Sequence, residues 1–349
     1  MIPRTFPGEL RVALLRRFID PYLVLLIATV GLAVVLPARG AGAVVASGSV
    51  TVAVALLFFI YGARLAPSAI WSGLTHWRLQ SLVLASTFIL FPLLGLLLTR
   101  VVGTALPSEI VVGLLFLCLL PSTVQSSIAF TSIARGNVAA ALCSASVSNL
   151  VGVAVTPLLV GVLLSSAGGG ISLDGFRSIA IQILVPFAAG QAVRPLIGGW
   201  LLRHKLLTSI VDRGSILLVV YSAFSAGMVA HVWAGVSPMD LAIVVGIDFV
   251  LLGAVLVSTT LASRRLGFDK EDQIAIVFCG SKKSMASGIP MAAILFPAHS
   301  ISLIVLPLML FHQIQLFVCA TMARRYARRS EADKRFPAPQ AAETAASAA

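Results

Sequence analysis

Residues 271–296 read EDQIAIVFCGSKKSMASGIPMAAILF, an apolar run long enough to cross a bilayer that is cut from Gly280 to Pro290 by glycines, serines and two adjacent lysines. A lysine at the centre of a membrane helix costs about 2.5–3.5 kcal/mol on insertion scales. Two in succession, Lys282 and Lys283, therefore need a physical reason. Either the interruption lies shallow and both amines snorkel to water, or the amines meet partners inside the protein.

A second stretch has the same build. Residues 109–136 read EIVVGLLFLCLLPSTVQSSIAFTSIARG, with the apolar run cut from Pro121 through Ser127. Polar, weakly helical segments cannot face lipid, because each unpaired backbone group there costs several kcal/mol. They persist where they are buried or line a cavity, and a Gly/Pro-interrupted pair at matching places of two halves points to a transporter binding site near the midplane. Two ordinary proline kinks are the bland alternative.

The rest of the chain supplies the frame. Of 349 residues, 58% are hydrophobic and 11% charged, against about 25% charged in soluble domains. Apolar spans are expected near 20–37, 43–63, 79–99, 109–134, 137–165, 176–198, 209–232, 239–262, 271–296 and 300–322. The interrupted stretches are then the fourth and the ninth, each fourth in a set of five. Five is odd, so two successive sets insert with opposite orientation. The expected fold is all-α and polytopic: ten transmembrane helices as two inverted five-helix repeats. Residues 1–18 form a cytoplasmic N-terminal segment, 19–165 the first repeat, 174–322 the second, and 323–349 a basic, then disordered, cytoplasmic tail.

The net charge of +12 lies in short loops and at the ends. Arg64, Arg78, Arg135, Arg203, Arg264 and Arg325 fall on the side of the termini, whereas Arg39, Arg100 and Arg177 fall on the other. This bias predicts a multi-pass protein of the plasma (inner) membrane with both termini cytoplasmic. It reads as anchoring to membrane lipids and not as nucleic-acid binding. Cys118, Cys143, Cys279 and Cys319 sit in apolar segments without metal-ligand spacing and read as small packing residues.

Residues 131–160, TSIARGNVAAALCSASVSNLVGVAVTPLLV, resemble the ARG(D/N)VA…TPLL signature of the bile acid:sodium symporter superfamily. FCGSKKSMASG resembles the ninth-span motif of its orphan branch, the SBF-like proteins similar to member seven of solute carrier family 10. The resemblance spans roughly residues 15–325. It implies a panel domain from spans one, two, six and seven, and a core domain in which broken spans four and nine cross. It implies alternating access of core against panel. In the bile acid branch it also implies sodium beside the crossing. Carried over, the sodium ligands match Ser126 and Ser127 in span four, and Ser144, Ser148 and Asn149 in span five. Of these Ser126, Ser127, Ser148 and Asn149 form the expected metal set. Phe278, Lys282 and Lys283 stand where that branch has Glu, Gln and Asn, so sodium coupling does not carry over unchanged.

The candidate substrate and ion site therefore comprises Ser122, Thr123, Gln125, Ser126 and Ser127 of the first break with Ser281, Lys282, Lys283 and Ser284 of the second. Ser144, Ser148 and Asn149 join them from span five, and His312 and Gln313 from span ten. Asp248 is the acidic residue well inside a span and a candidate counter-ion of either lysine, or a proton acceptor. Gln182 and Gln191 are candidates for the panel wall, and Asn137 for a helix N-cap. One ammonium is expected to occupy a sodium position and the other to meet solute. A lysine that changes protonation with binding would couple transport to protons.

The leading function is a secondary active transporter of a small organic solute, anionic if it meets a lysine, cation-coupled or ion-regulated, with no cofactor expected beyond sodium or a proton as the candidate coupling ion. The alternatives are a regulatory sensor on the same fold and an intramembrane Ser/Lys hydrolase. The hydrolase is disfavoured because neighbours at i, i+1 do not face each other on a helix.

Overall fold

The structure, a computed structural model, describes residues 21–64, 76–103, 105–165 and 173–335. The predicted N-terminal segment 1–18 and the end of the tail, 336–349, lie outside the described residues. The described residues form helices without strands: α1 (Pro21–Val35), α2 (Ala41–Arg64), α3 (Trp77–Val102), α4 (Ser108–Leu119), α5 (Gln125–Ile133) and α6 (Val138–Ser165), followed by α7 (Leu173–Arg203), α8 (Lys205–Val229), α9 (Pro238–Arg265), α10 (Lys270–Gly280), α11 (Met285–Leu295) and α12 (Ile301–Arg335). Seven of them, α2, α3, α6, α7, α8, α9 and α12, are long and apolar enough to cross a membrane. Large apolar side chains such as Val44, Val52, Leu196 and Phe317 point outward, as lipid contact requires. This is a multi-pass membrane protein.

Both interrupted stretches are broken helices, and both breaks are narrower than the sequence suggests. The first ends at Leu119 because Leu120 precedes Pro121, and proline disfavours α geometry in the residue before it. Leu120 is extended, with ψ 155°. Helix resumes at Gln125, so Ser126 and Ser127 belong to α5 and not to the break. The second break spans 281–284, and the expected extent to Pro290 is corrected: Ser284 accepts a hydrogen bond from the Ser287 N–H and so caps α11 early, leaving Pro290 inside the helix. The basic tail is helical through Arg335, with no glycine or proline between Pro307 and Arg335 to stop it.

The helices pack in two groups. In one, α2 lies along α7, and α8 packs on α1 and α2. Gly62 and Gly190 let α2 and α7 touch: a Cβ on Gly62 would strike the carbonyl of Phe187, and one on Gly190 the carbonyl of Phe59. Small residues at such crossings are how membrane helices gain close contact. Arg64 Nη1 and Asp212 Oδ2, 3.2 Å apart, tie α2 to α8. In the other group α12 packs on α4, α5, α9 and α11, while α10 packs on α3, α5, α6 and α9. The groups meet where α8 touches α11 and α12, and where α7 touches α6 and α11.

Gly190→Ala is expected to force α2 and α7 apart at a cost of about 1–3 kcal/mol, seen as a lowered Tm of the purified protein in detergent. Gly199→Ala, whose added Cβ meets nothing within 4 Å, is the matched control and should leave Tm unchanged.

Candidate functional site

The two breaks face each other, and their geometry follows from main-chain groups that no helix can satisfy. A helix leaves its last carbonyls without intrahelical donors, and in a membrane protein the donors must come from inside. At the end of α10, Ser127 Oγ donates to the Phe278 carbonyl (3.2 Å), Ser122 Oγ to Cys279 (2.6 Å) and Ser86 Oγ to Gly280 (2.7 Å). At the end of α4, Thr156 Oγ1 donates to Leu119 (2.8 Å), and the Ser284 N–H to Pro121 (2.8 Å). The Ser122 N–H is taken by Ser148 Oγ at 3.1 Å.

Lys283 completes the arrangement. Its side chain is fully buried, and Nζ donates to the carbonyls of Leu120 (2.6 Å), Cys118 (2.8 Å) and Thr87 (2.9 Å), 4.1 Å from the centroid of the Phe91 ring. The Thr87 carbonyl is free for a traceable reason. In the π-helical segment Ser86–Leu90 the Phe91 N–H bonds back to Ser86, and the next residue, Pro92, has no N–H to offer. The peptide of Lys283 is clamped as well: its N–H donates to Gln315 Oε1 (3.0 Å) and its carbonyl accepts from Gln315 Nε2 (3.1 Å). Gln315 Nε2 also lies 2.9 Å from His312 Nδ1.

Lys282 is equally buried but differently placed. Its Nζ has no hydrogen-bond partner among the described residues and lies 4.0 Å from the ring centroid of Phe130 and 5.5 Å from that of Phe278. Ring faces attract a cation without taking its protons. One amine is thus fully coordinated, while the other is held by aromatic faces with its donors unspent. Neither lysine snorkels.

Several expected residues are used otherwise. Thr123 Oγ1 pairs with Ser126 Oγ at 2.7 Å, and Ser287 Oγ donates to Asn149 Oδ1 at 2.8 Å. Ser126, Ser127, Ser148 and Asn149, the expected metal set, share no hydrogen bond with one another among the described residues. Ser281 Oγ bonds back to the Val277 carbonyl at 2.6 Å, and Ser284 Oγ caps α11. Among the described residues no hydrogen bond joins either serine to a lysine amine. Gln125 is exposed, and Gln313 yields its expected place to Gln315. Because Gln315 is three residues after His312 it shares its helix face, and that spacing was the available signal. Asp248 is corrected as counter-ion: it is fully buried, yet neither oxygen meets a hydrogen-bond partner among the described residues, and no ion pair links it to a lysine. Ser144 stands apart, its hydroxyl unpartnered among the described residues. Asn137 caps α6, its Oδ1 accepting from the Ala140 N–H at 2.9 Å. Ser86, Thr87, Thr156, Gln315 and Phe130 were not foreseen as parts of the site.

A cavity of about 280 Å³ opens between α2, α7 and the end of α11. Its walls are apolar apart from Thr51 and Gln182, so the expected panel role suits Gln182, whereas Gln191 does not line it.

Among known proteins, the SBF-like CPA transporter family matches residues 20–328. The chain is 54% identical over 313 residues to an uncharacterized protein, PA2026, of Pseudomonas aeruginosa PAO1, covering 89% of this chain and 94% of that one. It is 50% identical over 315 residues to the candidate symporter YfeH of Escherichia coli K12, covering 90% and 95%. It is 30% identical over 271 residues to sodium/bile acid cotransporter 7 of Xenopus tropicalis, covering 76% and 79%.

The unequal surroundings of the two amines make their substitutions unequal. Lys283→Met keeps the bulk but leaves three buried carbonyls without donors, and is expected to destabilise by about 3 kcal/mol or more. Lys282→Met forfeits no hydrogen bond and should leave Tm unchanged or raise it. Parallel thermal denaturation of the two purified variants checks the contrast.

Proposed function

Because the chain belongs to the SBF-like CPA transporter family, we propose that it is a secondary active transporter that moves a small organic solute by alternating access. In this reading Lys283 is a resident cation. The observation that carries it is the coordination of Lys283 Nζ by three main-chain carbonyls, two of them at the end of α4, a ligand set of the kind that would otherwise suit an alkali cation.

The proposed architecture has ten spans in two inverted repeats, with α4–α5 as the fourth span and α10–α11 as the ninth. Helices α1, α2, α7 and α8 form the panel and the remainder the core. Both termini lie in the cytoplasm, and the protein resides in the plasma membrane. The separate packing of the two helix groups supports this division. The cavity of about 280 Å³ lies between panel and core and suits a small, mostly apolar solute with one or two polar groups.

Lys282, held by rings and without acceptors, is the amine left to answer solute or coupling ion as the core moves. A carboxylate that displaces Phe130 from its ammonium would gain a charge-assisted bond. Asp248, equally without a partner, is the group that we propose accepts a proton in the cycle. Relatives named as sodium cotransporters make sodium the ion to test. With an ammonium already resident on these carbonyls, sodium has no vacancy at the end of α4.

A bound cation stabilises by RT ln(1 + [L]/Kd), so replacing sodium chloride by choline chloride at constant ionic strength is expected to leave the wild-type Tm unchanged. A saturable rise with sodium would overturn the resident-cation reading. Uptake of small organic anions into proteoliposomes should exceed that into protein-free liposomes and be reduced at least tenfold by Lys282→Met. Uptake no faster than in empty liposomes across a broad solute panel would favour the sensor reading over transport.

A further inference from the structure

A second cavity, of about 160 Å³, lies between the first turns of α3 and α6, on the face that carries Arg78 and Arg135 and away from the crossing. It is lined by His76, Leu79, Gln80, Asn137, Cys143 and Ser144, with two alanines of α6. Both helices belong to one packed group, so the cavity is not at the moving boundary described above. Two of its polar groups are orphans. Gln80 is only 7% exposed, yet among the described residues neither its Oε1 nor its Nε2 has a hydrogen-bond partner, and the fully buried Ser144 Oγ has none either. Buried polar groups are nearly always paired. Two unpaired ones that line the same hollow point to something that fills it.

The chemistry of the walls selects the occupant. Among the described residues no carboxylate lines the cavity. Two helices begin there, each with a partial positive charge at its first turn, although Asn137 already takes the Ala140 N–H of α6. His76, at the start of α3, makes no side-chain capping bond to that helix. Asn137 is held in place by Asp272, to which its Nδ2 donates at 2.8 Å. The amide of Gln80, the hydroxyl of Ser144 and the imidazole of His76 are the available donors. Trp77, which follows His76 in the first turn of α3, is 65% exposed, and exposed tryptophan at a helix end marks head-group depth. The abundant oxyanion at that depth is phosphate.

We propose that this cavity binds a phosphate group, either of inorganic phosphate or of an anionic lipid head group, through Gln80, Ser144 and the N-termini of α3 and α6. Gln80 lies two helical turns before Thr87, whose carbonyl holds Lys283, so occupancy bears on the same helix that anchors the crossing. The inference goes beyond the transport reading and does not depend on it.

The test uses the full-length purified protein. In detergent, sodium phosphate is titrated against sodium chloride at matched ionic strength and Tm is followed. In parallel, nanodiscs of phosphatidylglycerol are compared with nanodiscs of phosphatidylcholine. The expected result is a saturable rise in Tm in at least one arm. Gln80→Leu, which fills the same volume without orphan atoms, and Ser144→Ala should each weaken that response at least tenfold in concentration while leaving the ligand-free Tm equal or higher. A response to inorganic phosphate assigns a soluble ligand; a response to phosphatidylglycerol alone assigns a lipid head group. No response in either arm, or an equal response in Gln80→Leu, overturns the proposal and leaves a water-filled hollow.

Discussion

The ammonium of Lys283 joins three main-chain carbonyls from two helices, and the architecture around it depends on that junction. The carbonyls of Cys118 and Leu120 are orphaned because Pro121 ends α4, and the carbonyl of Thr87 because a π turn runs into Pro92. In a hydrocarbon environment such groups must be satisfied by the protein itself. A lysine supplies three donors from one flexible stem, and its positive charge suits the negative end of α4. The cost of burying the charge is offset by these bonds and by the face of Phe91.

The same constraint explains the hydroxyls. Ser86, Ser122, Ser127 and Thr156 each donate to a carbonyl at a broken helix end. Serine and threonine are short enough to reach a neighbouring main chain and can rotate to find it. Polar residues at the breaks thus serve first as caps that make the interruption tolerable. A polar stretch inside a span marks a break in the helix before it marks a binding site. Lys282, Asp248, Gln80 and Ser144 are among the buried polar groups that capping does not explain, and the proposed functions rest on these four.

Much of this was legible in the chain. Apolar runs located the helices, because the thickness of a bilayer leaves little freedom in helix length. Pro121 located the first break, since a residue before proline avoids α geometry whatever surrounds it. The second break was overdrawn because Gly288 and Pro290 look like breakers locally, while the cap at Ser284 restarts the helix ahead of them. Asp248 looked like a partner for the lysines because charge alone was visible. Distance was not, and in the fold their ammonium groups are met by carbonyls and rings.

The amino-acid sequence by itself determined the class of protein, the positions of the helices, the two interruptions and the presence of two ammonium groups between them, because these follow from hydropathy, proline stereochemistry and charge. The fold decided which lysine does what. Adjacent residues in an irregular turn point in unrelated directions, and only the packing of α3, α4 and α5 against the break sends Lys283 to three carbonyls and Lys282 to two rings. The choice of Gln315 over Gln313, and the placing of Gln80 and Ser144 in the wall of one hollow, are likewise tertiary facts. They depend on which helix faces meet, and the local chain carries no record of that.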